Sequence, residues 1–242
     1  MKKDNIVVLL TGRGNNTLKD KNVIPILGKP LLAYPSIEAL KLNNVNSYFV
    51  SSENKKILSE ANKLGYKKIL RPEEYAKPTS QHVDCLIHAI QEIEKVNGTK
   101  PEILVVLLAN CATTKSEWIE DCIEIVKKDP SITSVIPVQK NNDHHPFRAK
   151  KIDKHGYLEQ FAKPACSKLS SNRQDLEPNY FVCHNFWVLN LKNMDKDLSD
   201  GQSPWPFMGN KIIPYIVDYS IDIHHIEDIY LTEAWIKKND MY

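Results

Sequence analysis

The chain has 242 residues, with 32 Lys and Arg against 30 Asp and Glu, a formal charge of +2 and a hydrophobic share of 42%. A balance so near neutral argues against a nucleic-acid or membrane-surface binder, which shows a basic excess. The composition is that of an ordinary globular protein, which excludes disorder as the main state, and the length suits one domain with a full core.

The first apolar run, Ile6–Leu10, is far short of a signal core or a membrane span. Five scattered cysteines without a C-x-x-C spacing read as free thiols, and the expected location is the reducing cytoplasm. Asn5–Leu10, Asn46–Ser51 and Lys67–Leu70 predict strands, and Glu102–Leu108 predicts a central parallel strand because it is apolar on both faces. Ser131–Val138 predicts the next. Ile57, Leu58, Ala61 and Leu64 have helical spacing and stop at Gly65. Val83, Leu86, Ile87, Ile90 and Ile93 predict a second helix opened by Thr79 or Ser80. Thr114–Glu117 reads as a capping box before a third, with Trp118, Cys122, Ile125 and Val126 inward. Strands at Tyr180–Asn190 and Ile212–Val217 and a helix from about Glu227 to Lys238 follow. Such alternation predicts an α/β fold with a mainly parallel sheet and flanking helices in a single domain. Lys140–Pro178, polar with sparse apolar islands (Ile152, Tyr157–Phe161), predicts an excursion from that core.

Ligands of open α/β sheets bind beyond the carboxyl ends of the strands, which directs attention to Thr11–Asn22 after the first strand. Gly12 and Gly14 would let a backbone approach phosphate, and Arg13, Lys19 and Lys21 supply positive charge. A solvated basic loop is the alternative. Neither the Walker A pattern nor G-x-G-x-x-G is present, and the missing glycine fingerprint excludes a Rossmann oxidoreductase. His144 and His145 are adjacent and lack further ligands at zinc spacing.

The continuation Val23–Tyr34 (V-I-P-I-L-G-K-P-L-L-A-Y) resembles the CMP-N-acylneuraminate synthetases, a cytidylyltransferase family related to the Kdo enzymes. Further segments match in order. Arg71–Ala76 resembles R-P-x-x-L-A, Asn172–Leu176 resembles R-R-Q-D-L-P, and Gly209–Tyr215 resembles G-K-x-x-P-Y-x. Ser220–His224 with Glu227–Ile229 resembles S-[IV]-D-I-D-x-x-x-D-[LF]. The departures are equally specific. The first loop lacks Ser-Lys-Gly and has Thr17 and Lys19 nearby; Leu108–Thr113 lacks the Gln of L-Q-P-T-S-P; the second Asp of D-I-D is His224. His184, in the strand that reads N-G-A-I-Y in sialate enzymes, resembles the Kdo enzymes.

The resemblance implies a Rossmann-like nucleotidyltransferase fold with an extended dimerisation arm at about 140–178, hence a homodimer. It implies transfer of CMP from CTP to an acidic acceptor, a nonulosonic or other 2-keto-3-deoxy acid sugar, with release of pyrophosphate. A phosphonate acceptor and a non-catalytic nucleotide-binding relative are the alternatives. Arg13 and Lys21 take the catalytic role of offsetting phosphate charge. Gly12, Gly14, Asn15, Lys19, Asn22, Arg71, Thr79 and Ser80 fall on the nucleotide side, although Thr79 and Ser80 also fit helix caps and Arg71 a salt bridge with Glu73 or Glu74. Arg173, Gln174, His184 and Phe207 fall on the acceptor side, with core packing as the alternative for Phe207. Asp222 and His224 are the expected ligands of Mg²⁺, the imidazole being the weaker oxygen substitute.

Overall fold

The computed structural model describes residues 4–14, 18–163 and 170–241. Its elements run β1 (Ile6–Thr11), β2 (Pro25–Ile26), β3 (Lys29–Pro30), α1 (Ala33–Leu40), β4 (Ser47–Ser52), α2 (Lys55–Lys63), β5 (Lys67–Leu70), α3 (His82–Asn97), β6 (Ile103–Leu108) and α4 (Ser116–Lys128). They continue with β7 (Ser134–Lys140), β8 (Lys150–Ile152), β9 (Leu158–Gln160), β10 (Tyr180–Val182), β11 (Phe186–Asn190), β12 (Ile212–Ile216) and α5 (Ile226–Lys238).

The central sheet is mixed. β5, β4, β1 and β6 lie side by side and parallel, β11 pairs antiparallel with β6 and β7, and β12 runs parallel to β7 on its other side. Every residue of β1 and β6 is buried, which is why both read as unbroken apolar runs. Ile6, Val8 and Leu10 pack with residues of α1, α2, α4 and α5 on one face; Val7 and Leu9 pack with α3 on the other. The sheet is therefore covered on both sides, and its carboxyl rim is the free surface for a ligand.

Local chemistry accounts for the termini. Asn54 caps α2 by accepting from the Lys56 and Ile57 amides at 2.8 and 3.4 Å. The same helix closes with Tyr66 N–H on the Ala61 carbonyl and Gly65 N–H on that of Asn62, Gly65 having φ +92°. α3 begins at His82, so Gln81 rather than Thr79 or Ser80 is its N-cap residue. The expected capping box at Thr114 does not form: α4 starts at Ser116, whose amide donates to Glu38 Oε2 at 3.0 Å, a carboxylate from α1 doing the work locally assigned to Thr114. β7 starts at Ser134, later than expected, because Asp129 Oδ1 accepts from the Ser131 amide and holds that stretch in a turn.

The stretch expected as one strand at Tyr180–Asn190 is broken in two. Val182 lies opposite Val138 and Val188 opposite Val135, so six residues advance on one strand for three on the other. The surplus forms a bulge around Cys183–Asn185, a device common beside active sites. Between β7 and β10 the chain leaves the sheet and builds the β8–β9 hairpin, where the sequence showed only islands. Ile152, Tyr157, Leu158 and Phe161 are 72%, 71%, 73% and 67% exposed on it.

Candidate active site

The chain moves outward from β1 to β4 and β5, then returns to place β6 on the other side of β1. The crevice at that reversal is where an open α/β sheet accepts a ligand. A cleft of about 670 Å³, counting its open side, lies there. Thr11, Gly12, Arg13, Lys21 and Asn22 form one wall, Arg71, Tyr75 and Lys77 another, and Ser80, His82 and Cys85 the approach to α3. Leu108 and Asn110, at the end of β6, complete it.

The loop after β1 is held down by its own glycines. A Cβ on Gly12 would come within 3.0 Å of Ala109 Cβ, and one on Gly14 would collide with the Asn54 side chain. The Gly12 amide donates to the Ser51 carbonyl at 3.3 Å and the Gly14 amide to Glu53 Oε1 at 2.6 Å. Close packing against β4 and α2 thus explains both glycines in this structure, where the sequence suggested phosphate contact. The loop is tied further by Asn22 Nδ2, which donates to the Arg13 carbonyl at 2.8 Å, and Arg13 Nη1 donates to the Lys77 carbonyl at 2.9 Å.

Lys21 is only 6% exposed. Burial lowers its pKa from the ordinary lysine range, Arg13 adds to the effect, and Asp222 and Asp228 oppose it. A buried ammonium facing a cleft is a costly arrangement unless an anion joins it. Arg71, also buried, donates from Nη2 to the Ser51 carbonyl at 2.8 Å and from Nε to Ser51 Oγ at 3.3 Å. These bonds to the end of β4, rather than a salt bridge with Glu73 or Glu74, fix its guanidinium at the rim.

Asp222 lies close enough to Lys21 to pull its pKa upward. Its segment is anchored along the loop after β6, with the Ile221 amide on Thr113 Oγ1 at 2.9 Å and the Ile223 amide on the Asn110 carbonyl at 3.1 Å. His224 Nε2 lies 3.0 Å from Asp222 Oδ2, and His184 Nδ1, carried by the bulge, 4.0 Å from the same oxygen. Burial lowers the pKa of His184, against the pull of Asp222. Asp222 Oδ1 is buried with no hydrogen-bond partner among the described residues. Asp228 Oδ2 accepts from the His224 and His225 amides at 2.7 and 2.8 Å, fixing the turn into α5. Among the described residues no three His, Cys, Asp or Glu side chains converge on a metal position. Asp222 is therefore a lone hard oxygen donor, suited to Mg²⁺ that keeps its other positions for phosphate and water. The His224 ring sits against that carboxylate and not at a separate ligand position.

Other expected residues fall elsewhere. Lys19 and Thr79 are exposed and do not line the cleft, and Asn15 lies outside the described residues. Ser80 does line it, with Oγ donating to the Glu74 carbonyl at 2.6 Å. Arg173 pairs with Asp143 at 2.7 Å, and Gln174 is exposed beside it; neither lines the cleft of the single chain. Phe207 is 2% exposed, so in this structure it is core, stacked behind His82 with ring centroids 5.8 Å apart. His144 is exposed and His145 buried, with His145 Nδ1 accepting from the Phe147 amide. Glu53, Tyr75, Lys77, His82, Cys85 and Asn110 were not singled out from the sequence. Only the position of Glu53 just after a strand, at the sheet's carboxyl rim, signalled it.

A cytidylyltransferase family model matches residues 8–165. The N-acylneuraminate cytidylyltransferase of Oncorhynchus mykiss is 25% identical over 227 residues, 91% of this chain and 49% of that protein. A Helicobacter pylori protein described as pseudaminic acid cytidylyltransferase and UDP-2,4-diacetamido-2,4,6-trideoxy-beta-L-altropyranose hydrolase is 24% identical, covering 51% of this chain and 24% of its own length. The chain thus spans half or less of these curated relatives. In fold it is similar to a CMP:2-keto-3-deoxy-manno-octonic acid synthetase complexed with CTP, with a TM-score of 0.70 at 12% identity over 98% of this chain and 100% of that one. It is also similar to 4-diphosphocytidyl-2C-methyl-D-erythritol synthase from Anaerococcus prevotii, with a TM-score of 0.64 at 13% identity over 97% of each chain. No helix among the described residues is long and apolar enough to cross a membrane. With two-thirds of its length inside the family model, and its basic cleft at the sheet reversal, the chain belongs to the cytidylyltransferase family.

Proposed function

We propose that this chain transfers the cytidylyl group of CTP to an acidic sugar. A hydroxyl oxygen of the acceptor loses its proton to solvent and forms a bond to the α-phosphorus, the bond between that phosphorus and the bridging oxygen breaks, and pyrophosphate leaves. The observation that carries this reading is the buried Lys21 in a cleft walled also by Arg13 and Arg71, with the Asp222 carboxylate in electrostatic reach of its ammonium. Such a cleft needs an anion to offset its cations, and positioning and charge neutralisation are what phosphoryl-type transfer asks of a protein.

Each residue then has a defined part. Arg13 and Lys21 bind the phosphates and neutralise charge that builds on the departing pyrophosphate. Asn22 keeps the loop in place through the Arg13 carbonyl. Arg71 and Ser80 belong to the end of the cleft that takes the base. Asp222 would hold Mg²⁺, which when bound would supply further neutralisation of phosphate charge. The orphaned Oδ1 provides the site, and His224 orients the carboxylate.

The acceptor class, a nonulosonic or other 2-keto-3-deoxy acid sugar, follows from the relatives, which act on N-acylneuraminate and pseudaminic acid or are named for 2-keto-3-deoxy-manno-octonic acid. A homodimer completes the reading. The β8–β9 hairpin presents Ile152, Tyr157, Leu158 and Phe161 to solvent, a patch that a second copy would cover. Arg173 and Gln174 approach an acceptor from that side.

Pyrophosphate release from CTP with Mg²⁺, across a panel of acidic sugars and phosphonates, tests this. Turnover on one or more acidic sugars is expected. CTP binding without turnover on any of them would make the chain a non-catalytic nucleotide binder.

A further inference from the structure

His82 is the first residue of α3 and lines the cleft between Ser80 and Cys85. Its ring is clamped from behind. It meets Trp187 of β11 edge to face at 5.1 Å and lies parallel to Phe207 at 5.8 Å, and Trp187 and Phe207 are themselves 5.2 Å apart. Nε2 is buried with no hydrogen-bond partner among the described residues. The ring therefore meets the cleft through its other edge, which carries Nδ1.

A neutral imidazole has one nitrogen that donates and one that accepts. The cleft that His82 lines is walled by the cations Arg13, Lys21 and Arg71, which favour a lone pair on the nitrogen facing them and the hydrogen on the sealed Nε2. That places the proton on Nε2 and leaves Nδ1 as an acceptor. The ring stays neutral because burial, reinforced by Arg71 and His184, pushes its pKa down to about 3. Beside it, Arg71 offers only donors. The cleft thus has a fixed acceptor next to a fixed donor, both held by the protein before any ligand arrives.

We propose that His82 is a specificity-determining residue that accepts a hydrogen bond at Nδ1 from the exocyclic amine of the nucleotide base, and so separates cytosine from uracil. The inference rests on the cytidylyl-transfer reading and deepens it. Cytosine presents N4–H₂ where uracil presents a carbonyl oxygen. A carbonyl facing Nδ1 sets two lone pairs against each other in a partly dry site, which costs more than the bond itself contributes.

Calorimetric titration of the full chain with CTP and UTP tests this in the wild type, His82→Phe and His82→Gln. Phe keeps the stacking and removes the acceptor; Gln keeps an acceptor. The wild type is expected to prefer CTP by at least ~10-fold, His82→Phe to bring the two within ~2-fold, and His82→Gln to retain most of the preference. A preference that survives in His82→Phe overturns the role of His82 and leaves cytidylyl transfer standing, as do equal wild-type affinities for the two pyrimidines. A wild type that binds neither pyrimidine, or prefers ATP, removes the cytidylyl reading and this inference with it. Should His82→Phe not fold, the wild-type preference between pH 8 and 5.5 decides the point. Arg71 and His184 act on the ring, and neither supplies a carboxylate to favour its protonation. A constant preference supports the neutral acceptor, and one that collapses by pH 5.5 refutes it.

Discussion

Replacing Lys21 by Met should move activity and stability in opposite directions. The side chain is buried and its charge is disfavoured by burial and by Arg13, only partly offset by Asp222 and Asp228. Met fills similar volume without a charge, so the empty protein loses a desolvation cost and keeps its packing. The transition state loses a preorganised cation at the departing pyrophosphate, worth about 2.7–4 kcal/mol or a 10²–10³-fold fall in turnover. Pyrophosphate release at saturating CTP gives the first quantity and the midpoint of urea unfolding without nucleotide gives the second. The expected pairing is a turnover loss of at least ~10² with a midpoint equal to or above wild type. Turnover within a few-fold of wild type would refute the role of the charge. A fall in midpoint would refute the claim that Lys21 is held at a cost until an anion arrives.

Three further outcomes follow from the same groups. Because burial lowers the Lys21 pKa, the ammonium loses its proton below the ordinary lysine value of 10.5; CTP affinity should therefore fall with rising pH before the ordinary lysine range is reached, and a flat titration to pH 10 would contradict this. His82 remains neutral in the fold down to a pH of about 3 while the unfolded chain protonates near 6.5, so stability present above 6.5 is lost as pH falls. At pH 5 that loss is about 2 kcal/mol, and His82→Phe should remove it, measured as the difference between variant and wild type in urea unfolding at pH 7.5 and 5. Sedimentation of the whole chain at micromolar concentration should give a dimer, and Leu158→Glu with Phe161→Glu on the hairpin should give monomers; a wild-type particle of 27.7 kDa would end the homodimer reading.

Much of the framework was legible because it is local. The run of β6, the stripe of α2 and Gly65 at its end each follow from neighbours in sequence. The misreadings have distant causes. Thr114 looked like a cap until Glu38 reached across from α1 to the Ser116 amide. Tyr180–Asn190 looked continuous because a bulge changes register without changing composition. Arg173 sits within the matched motif, yet it pairs with Asp143 on the excursion, a choice made by how that segment folds back. Cys85 and His82 join the site only when α3 packs on the sheet with the His82 ring against Trp187 of β11, and no spacing announces that.

Three of the four departures from the family pattern converge in space; the fourth, the loss of Ser-Lys-Gly, falls on the first loop. Ala109 takes the place of the pattern's Gln and lies buried beneath Gly12. The next residue, Asn110, holds the Asp222 segment through its carbonyl and the Ile223 amide. His184 and His224 bracket Asp222 itself. Lys21, Asn22 and Arg71, which match the pattern, stand together in the cleft wall, buried and tied to β1 and β4. Independent loss of function would scatter changes over both groups, and the unpaid cost of burying Lys21 and Arg71 would be relieved first. Retention of the buried cations, with exchange of residues around one carboxylate, supports the proposed reading over that of a non-catalytic relative. Specificity is a difference between affinities, and exchanges around the Asp222 carboxylate can alter that difference while the buried cations stay in place.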